Sequence, residues 1–180
     1  MKKLVRMFLL GGLLAASQAV HAQDGQIGYS ERVPDDSSDK AALYKRATEW
    51  VENHFTYAPK SITRADAAKG EVRVEGTASV KTATPSGQMK ERPVRFEFIF
   101  HALPTGYDYS VGGFQLVPDA SKPAETVNFD EFVAQLATER TNDRTHNDRR
   151  VTAQATSLAS EIAMAFRSFM NSRPAEGGVE

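Results

Sequence analysis

Acid–base or metal chemistry has few side chains to draw on in this chain. There are four histidines and no cysteine, which excludes thiolate catalysis and Cys-ligated metal. His21 falls in a segment read below as a leader, leaving His54, His101 and His146. No two of them have the H-x-x-x-H spacing that sets two imidazoles on one helix face. His54 ends an amphipathic stretch, where an imidazolium complements a helix C-terminus. His101 ends an alternating stretch on its polar side, a solvated position. His146 lies beside Asp143 and Asp148 in a polar run, Asn142 to Asp148, which reads as a weak cation site or a solvated loop. Glu71, Glu75 and Glu97 alternate with Arg73, Lys81 and Arg95 on the polar side of two strand-like stretches. That is the pattern of cross-strand ion pairing, and it isolates no carboxylate in apolar surroundings for acid catalysis. No serine has the G-x-S-x-G context. Gly112-Gly113 opens no helix, so it is not a phosphate loop. The expectation is no catalytic, cofactor-binding or metal site.

The elements that carry these residues are clearer than any chemistry. Asp39 to Phe55 places Leu43, Tyr44, Ala47, Trp50 and Val51 on one helical stripe, with Lys40, Arg46, Glu49, Glu52 and Asn53 off it. Trp50 is the single tryptophan, and an indole needs a large apolar surface to lie on. Ser37 and Ser38 are both candidate caps for this helix. Gln26 to Val33 alternates as a first strand, with Glu31 out of place on the apolar side. Lys60 to Ala65 is a short strand carrying Ile62, and Asp66 to Gly70 a turn.

Glu71 to Lys81 alternates cleanly, with Val72, Val74, Gly76, Ala78 and Val80 on one side. Ala83 to Arg92 reads as a polar loop. Pro93 to His101 follows with Val94, Phe96, Phe98 and Phe100 on one face. In Tyr107 to Val117 the apolar parity flips after Gly112-Gly113, which predicts a β-bulge. Beyond a linker, Pro118 to Glu125, Asn128 and Glu131 fit a capping box ahead of Phe129, Phe132, Val133 and Leu136. Thr141 to Arg150 is polar, and Val151 to about Asn171 is a long amphipathic helix. The order β-α-β4-α-α predicts an α+β fold, a five-stranded antiparallel sheet with helices packed on one face.

Met1 to Ala22 has a positive start (Lys2, Lys3, Arg6), an apolar run from Met7 to Ala16, and small residues around Val20-His21-Ala22. It reads as a signal peptide cleaved at about Ala22, the alternative being an anchor left in place. The organisation expected is 1–22 leader, 23–173 one α+β domain and 174–180 a flexible tail. The chain balances 22 Lys and Arg against 23 Asp and Glu. Loss of the three leader cations makes the remainder more acidic, which argues against a nucleic-acid partner.

Tyr29, Val33, the Asp/Ser run, Leu43-Tyr44, Ala47, Trp50, Phe55, Ser61-Ile62 and Lys69-Gly70-Glu71-Val72 together resemble an exported bacterial family. It is described as a domain of unknown function with a TATA-binding-protein-like fold. The resemblance spans about Gln26 to Pro118 and leaves the helices of 119–173 largely outside it. It implies a β-α-β4-α layout around a curved antiparallel sheet, and no assigned activity. The function expected is an exported, non-enzymatic binding module, periplasmic or extracellular, without cofactor or stable membrane anchor. Its partner would be another envelope or extracellular protein. The alternatives are a carrier of a small apolar ligand between sheet and last helix, and an uncharacterised enzyme.

Overall fold

The computed structural model describes residues 27–139 and 145–172. The leader at 1–22 and the tail at 174–180 lie outside the described residues. Five strands pair in the order β1 (Tyr29–Pro34), β5 (Gly106–Leu116), β4 (Met89–Leu103), β3 (Glu71–Ala83) and β2 (Ser61–Asp66), all antiparallel. A two-residue strand, β6 (Val127–Asn128), adds to β5. The α+β sheet with three helices is the fold expected, enlarged by β6, which is too short to show a period of two.

α1 (Lys40–Asn53) packs on β3 and β4, and α3 (Asn147–Asn171) crosses the same face from β3 to β1. α2 (Phe129–Thr138) sits against β5, β6 and α3. Their apolar stripes meet the inward side chains of the sheet. Trp50 is 3% exposed, with ring centroids 5.0 Å from Phe98 and 5.1 Å from Phe166. Phe166 also lies 5.0 Å from Phe98 and 4.9 Å from Tyr109. One aromatic cluster thus joins α1, α3, β4 and β5, and the edge-on contacts are the favoured ring geometry.

Several boundaries differ from the sequence reading. The α1 cap is neither Ser37 nor Ser38. Asp39 takes that role, its Oδ1 accepting from the Ala42 amide at 2.7 Å, while the Ser37 amide and hydroxyl serve Asp35. At the other end Lys60 Nζ donates to the carbonyls of Val51 and Glu52 at 2.9 and 3.0 Å, satisfying two orphan acceptors. Half of Ala83 to Arg92 is strand: the β3–β4 ladder runs out to Ala83↔Met89 and 84–88 turn. Lys90, Glu91 and Arg92 hid that pairing because both sides of the hairpin tip are polar. α3 starts at Asn147, inside the run read as loop. The bulge is where the parity flip puts it. The register slips by one residue between Glu97↔Gly112 and Arg95↔Gln115, with Gly113 at φ +62°.

Candidate functional site

All three helices cover one face of the sheet, so the sheet side chains open to a partner lie on the other face. Strand register decides which residues meet there. The turns fix Glu71 opposite His101, His101 opposite Asp108, and Asp108 opposite Arg32. One transverse row therefore crosses β3, β4, β5 and β1 on the uncovered face. His101 Nδ1 is 2.8 Å from Asp108 Oδ1, and Nε2 is 3.7 Å from Glu71 Oε1. Arg73 Nε donates to Glu71 Oε1 at 2.5 Å, and Arg64 Nη1 lies 3.1 Å from Oε2.

Glu71 is 6% exposed, and a carboxylate in that position stays charged only when paired. The Arg73 hydrogen bond, reinforced by Arg64, holds its carboxyl below the usual carboxylate range. His101 and Asp108 are partly open to solvent. Their pairing corrects the solvated reading of His101. Counting outward from the β4–β5 turn, where Leu103 faces Gly106, gives His101↔Asp108 directly. The sequence signal was present and unused.

An imidazole held by a carboxylate is half of a general-base arrangement. Here the second ring nitrogen faces Glu71, a second carboxylate, and not an open position for a hydroxyl nucleophile. With Glu71 and Asp108 at opposite nitrogens, the three groups do not converge on one point. Among the described residues no group of three or more His, Asp or Glu side chains is arranged to hold a metal ion. The remaining histidines are elsewhere: His54 is the α1 C-cap, its ring 4.7 Å from Phe169, and His146 is the residue before α3, at φ 42°. Asp143 lies outside the described residues. Glu75 and Glu97 face each other across β3 and β4, so the alternation of signs along each strand does not become an ion pair at that position. Arg95 donates instead to the Pro123 carbonyl at 2.6 Å.

The space between sheet and α3 is filled by the chain's own rings and by Val151, Ala155, Ala159, Ile162 and Ala163, all fully buried. A depression of about 70 Å³ lies outside it, against Phe114, Asn128 and Phe129. A wide, open one of about 370 Å³ lies on α1 along Tyr44, Thr48 and Glu52. Among the described residues no helix is long and apolar enough to cross a membrane.

No curated protein matches the chain. Two solved structures share its fold at 13% identity. A family protein from Bacteroides ovatus ATCC 8483 superposes with a TM-score of 0.62, over 88% of this chain and 94% of its own. A TBP-like protein from Parabacteroides distasonis ATCC 8503 gives 0.55, over 84% and 97%. Both likenesses run well beyond the segment that the sequence resemblance covered, so the helices after the sheet are part of the shared architecture. Residues 29–116 match the family model described as a domain of unknown function (DUF4468) with TBP-like fold.

Proposed function

We propose that this chain is an exported, non-enzymatic interaction module that meets another envelope or extracellular protein through the uncovered face of its sheet. The observation that carries this is the division of labour between the two faces. One is sealed by three helices, and the other carries a fixed row of polar and charged side chains from Arg32 through Asp108 and His101 to Glu71. Rigid, oppositely charged groups in register select partners by complementarity more than by strength. Mixed signs on that face, with Glu75 opposite Glu97, oppose a phosphate backbone. Export rests on the leader pattern of residues 1–22, and no cofactor is required.

A photo-crosslinking residue at Ser110, on the uncovered face, and another at Ser157, on the exposed side of α3, test the reading in the native envelope. A specific adduct at Ser110, lost on Arg32→Glu, is the expected result. An adduct confined to Ser157 moves the interface to the helix layer. Turnover of a hydrolase substrate panel that disappears with His101→Ala makes the chain an enzyme. Against the ligand-carrier reading, the rings of Trp50, Phe98 and Phe166 are in mutual contact between sheet and α3.

A further inference from the structure

β3 is longer than the strand beside it. β2 pairs with β3 only as far as Ser61↔Glu75, so the outer edge of β3 from Thr77 to Ala83 has no neighbouring strand among the described residues. A bare edge of that length is a template for pairing with another chain. Parity sets which groups point outward. Pro93, opposite Ser79, accepts at its carbonyl from the amide of Val117, the residue just past β5. The odd-numbered residues of β3 therefore aim their amides and carbonyls away from β4.

Those positions are occupied by side chains of α3. Gln154 Oε1 accepts from the Lys81 amide at 2.9 Å while its Nε2 donates to the Lys81 carbonyl at 2.9 Å. Asn147 does the same at Ala83, with 2.7 and 2.9 Å. The Thr77 amide goes to the Tyr57 carbonyl. A primary carboxamide offers one acceptor and one donor side by side, as a paired strand residue does. Asn147 and Gln154 are two helical turns apart, so both project from one side of α3. Two successive outward positions of β3 are thus satisfied as a sixth long strand would satisfy them.

We infer that the Asn147 and Gln154 carboxamides stand in for a missing strand and keep the outer edge of β3 from pairing with a second copy of the chain. A second copy presents the same outward groups, and Thr77 to Ala83 (TASVKTA) is rich in the β-branched residues that favour strands. This device is independent of the uncovered face, whose charged row lies at the opposite end of β3.

The test is Asn147→Ala with Gln154→Ala in the full chain, with Gln154→Ala alone as the milder variant should the pair fail to fold. Amide exchange is followed at Lys81 and Ala83, and self-association by sedimentation over a concentration series. Expected are roughly tenfold faster exchange at the freed amides, the scale of one lost hydrogen bond, and concentration-dependent association beyond that of the wild-type chain. Adding Ser79→Pro, which removes an outward N–H where proline is tolerated on an edge, should abolish the extra association. Unchanged exchange, faster exchange without added association, or association that survives Ser79→Pro would each overturn the inference.

Discussion

Glu31 is a carboxylate on the core side of β1, and its neighbours explain why it is tolerated there. Tyr109, 2% exposed, donates its hydroxyl to Oε2 at 2.5 Å, Tyr29 donates to the same oxygen, and Arg167 lies 3.4 Å from Oε1. Glu31→Ala leaves the Tyr109 hydroxyl only the longer contact to the Ala163 carbonyl at 3.4 Å and should cost about 1–3 kcal/mol in urea unfolding, whereas the exposed neighbour Arg32→Ala should change stability little. Burial, with Glu31 beside it, raises the Tyr109 hydroxyl above its ordinary value of 10.0, and burial raises Tyr107 likewise. Folded, these groups hold their protons more tightly than the open chain does. Their contribution is complete below pH 10 and is lost as pH rises beyond it. In an alkaline titration, their tyrosinate absorbance should appear together with loss of far-UV dichroism and not before. Glu71 has the opposite sign. Its carboxyl is lowered from 4.5, so its contribution is present above that pH and is lost as the pH falls beneath it. The stability gap between wild type and Glu71→Gln should therefore close in acid. At this scale the sequence was least legible. Residue types and faces could be read, but the meeting of Glu71, Arg64 and His101 depends on two strand registers at once.

Elements were more legible where their signal was periodic. The parity of Tyr107, Tyr109 and Val111 against Phe114 and Leu116 located the bulge on β5 from residue order alone, because a one-residue slip exchanges the faces of a strand. The two glycines there have different jobs. Gly113 sits at φ +62°, while Gly112 does not need a positive φ and a Cβ on it would meet nothing nearer than 3.8 Å. Gly113→Ala should lose about 1–2 kcal/mol, the cost of an L-residue in the left-handed region, and Gly112→Ala should be close to neutral. Equal losses at both positions in thermal melts would mean that the bulge is not held by backbone conformation. The tip of the β3–β4 hairpin escaped the sequence reading for the converse reason. Neither face of 89–92 reaches the core as strongly as 94–100 does, so no alternation marks it. The Asp39 cap was hidden among five consecutive polar residues, any of which satisfies the composition of a cap.

For the whole molecule, the boundary of the recognisable domain and the boundary of the folding unit are different. The family match ends at residue 116, but the inward face of β3, β4 and β5 is only partly covered by α1. The rest is closed by α3, whose Val151, Ala155, Ala159, Ile162, Ala163 and Phe166 are fully buried against it. Phe166 alone touches Trp50, Phe98, Phe100, Tyr107 and Tyr109. Burial of one such ring contributes roughly 1.5–3 kcal/mol, and a domain's net stability is only about 5–15 kcal/mol. Losing Phe166 together with the rest of that stripe removes a share of the core comparable with the whole margin. A chain ending at Val117 should therefore fail to fold cooperatively, although it contains the entire matched segment. Its Trp50 emission should be red-shifted, as for an indole in water, and its thermal transition absent. A cooperative melt with a buried indole in that fragment would show that α1 alone can seal the sheet, and that the C-terminal helices are an addition to the fold and not its second half.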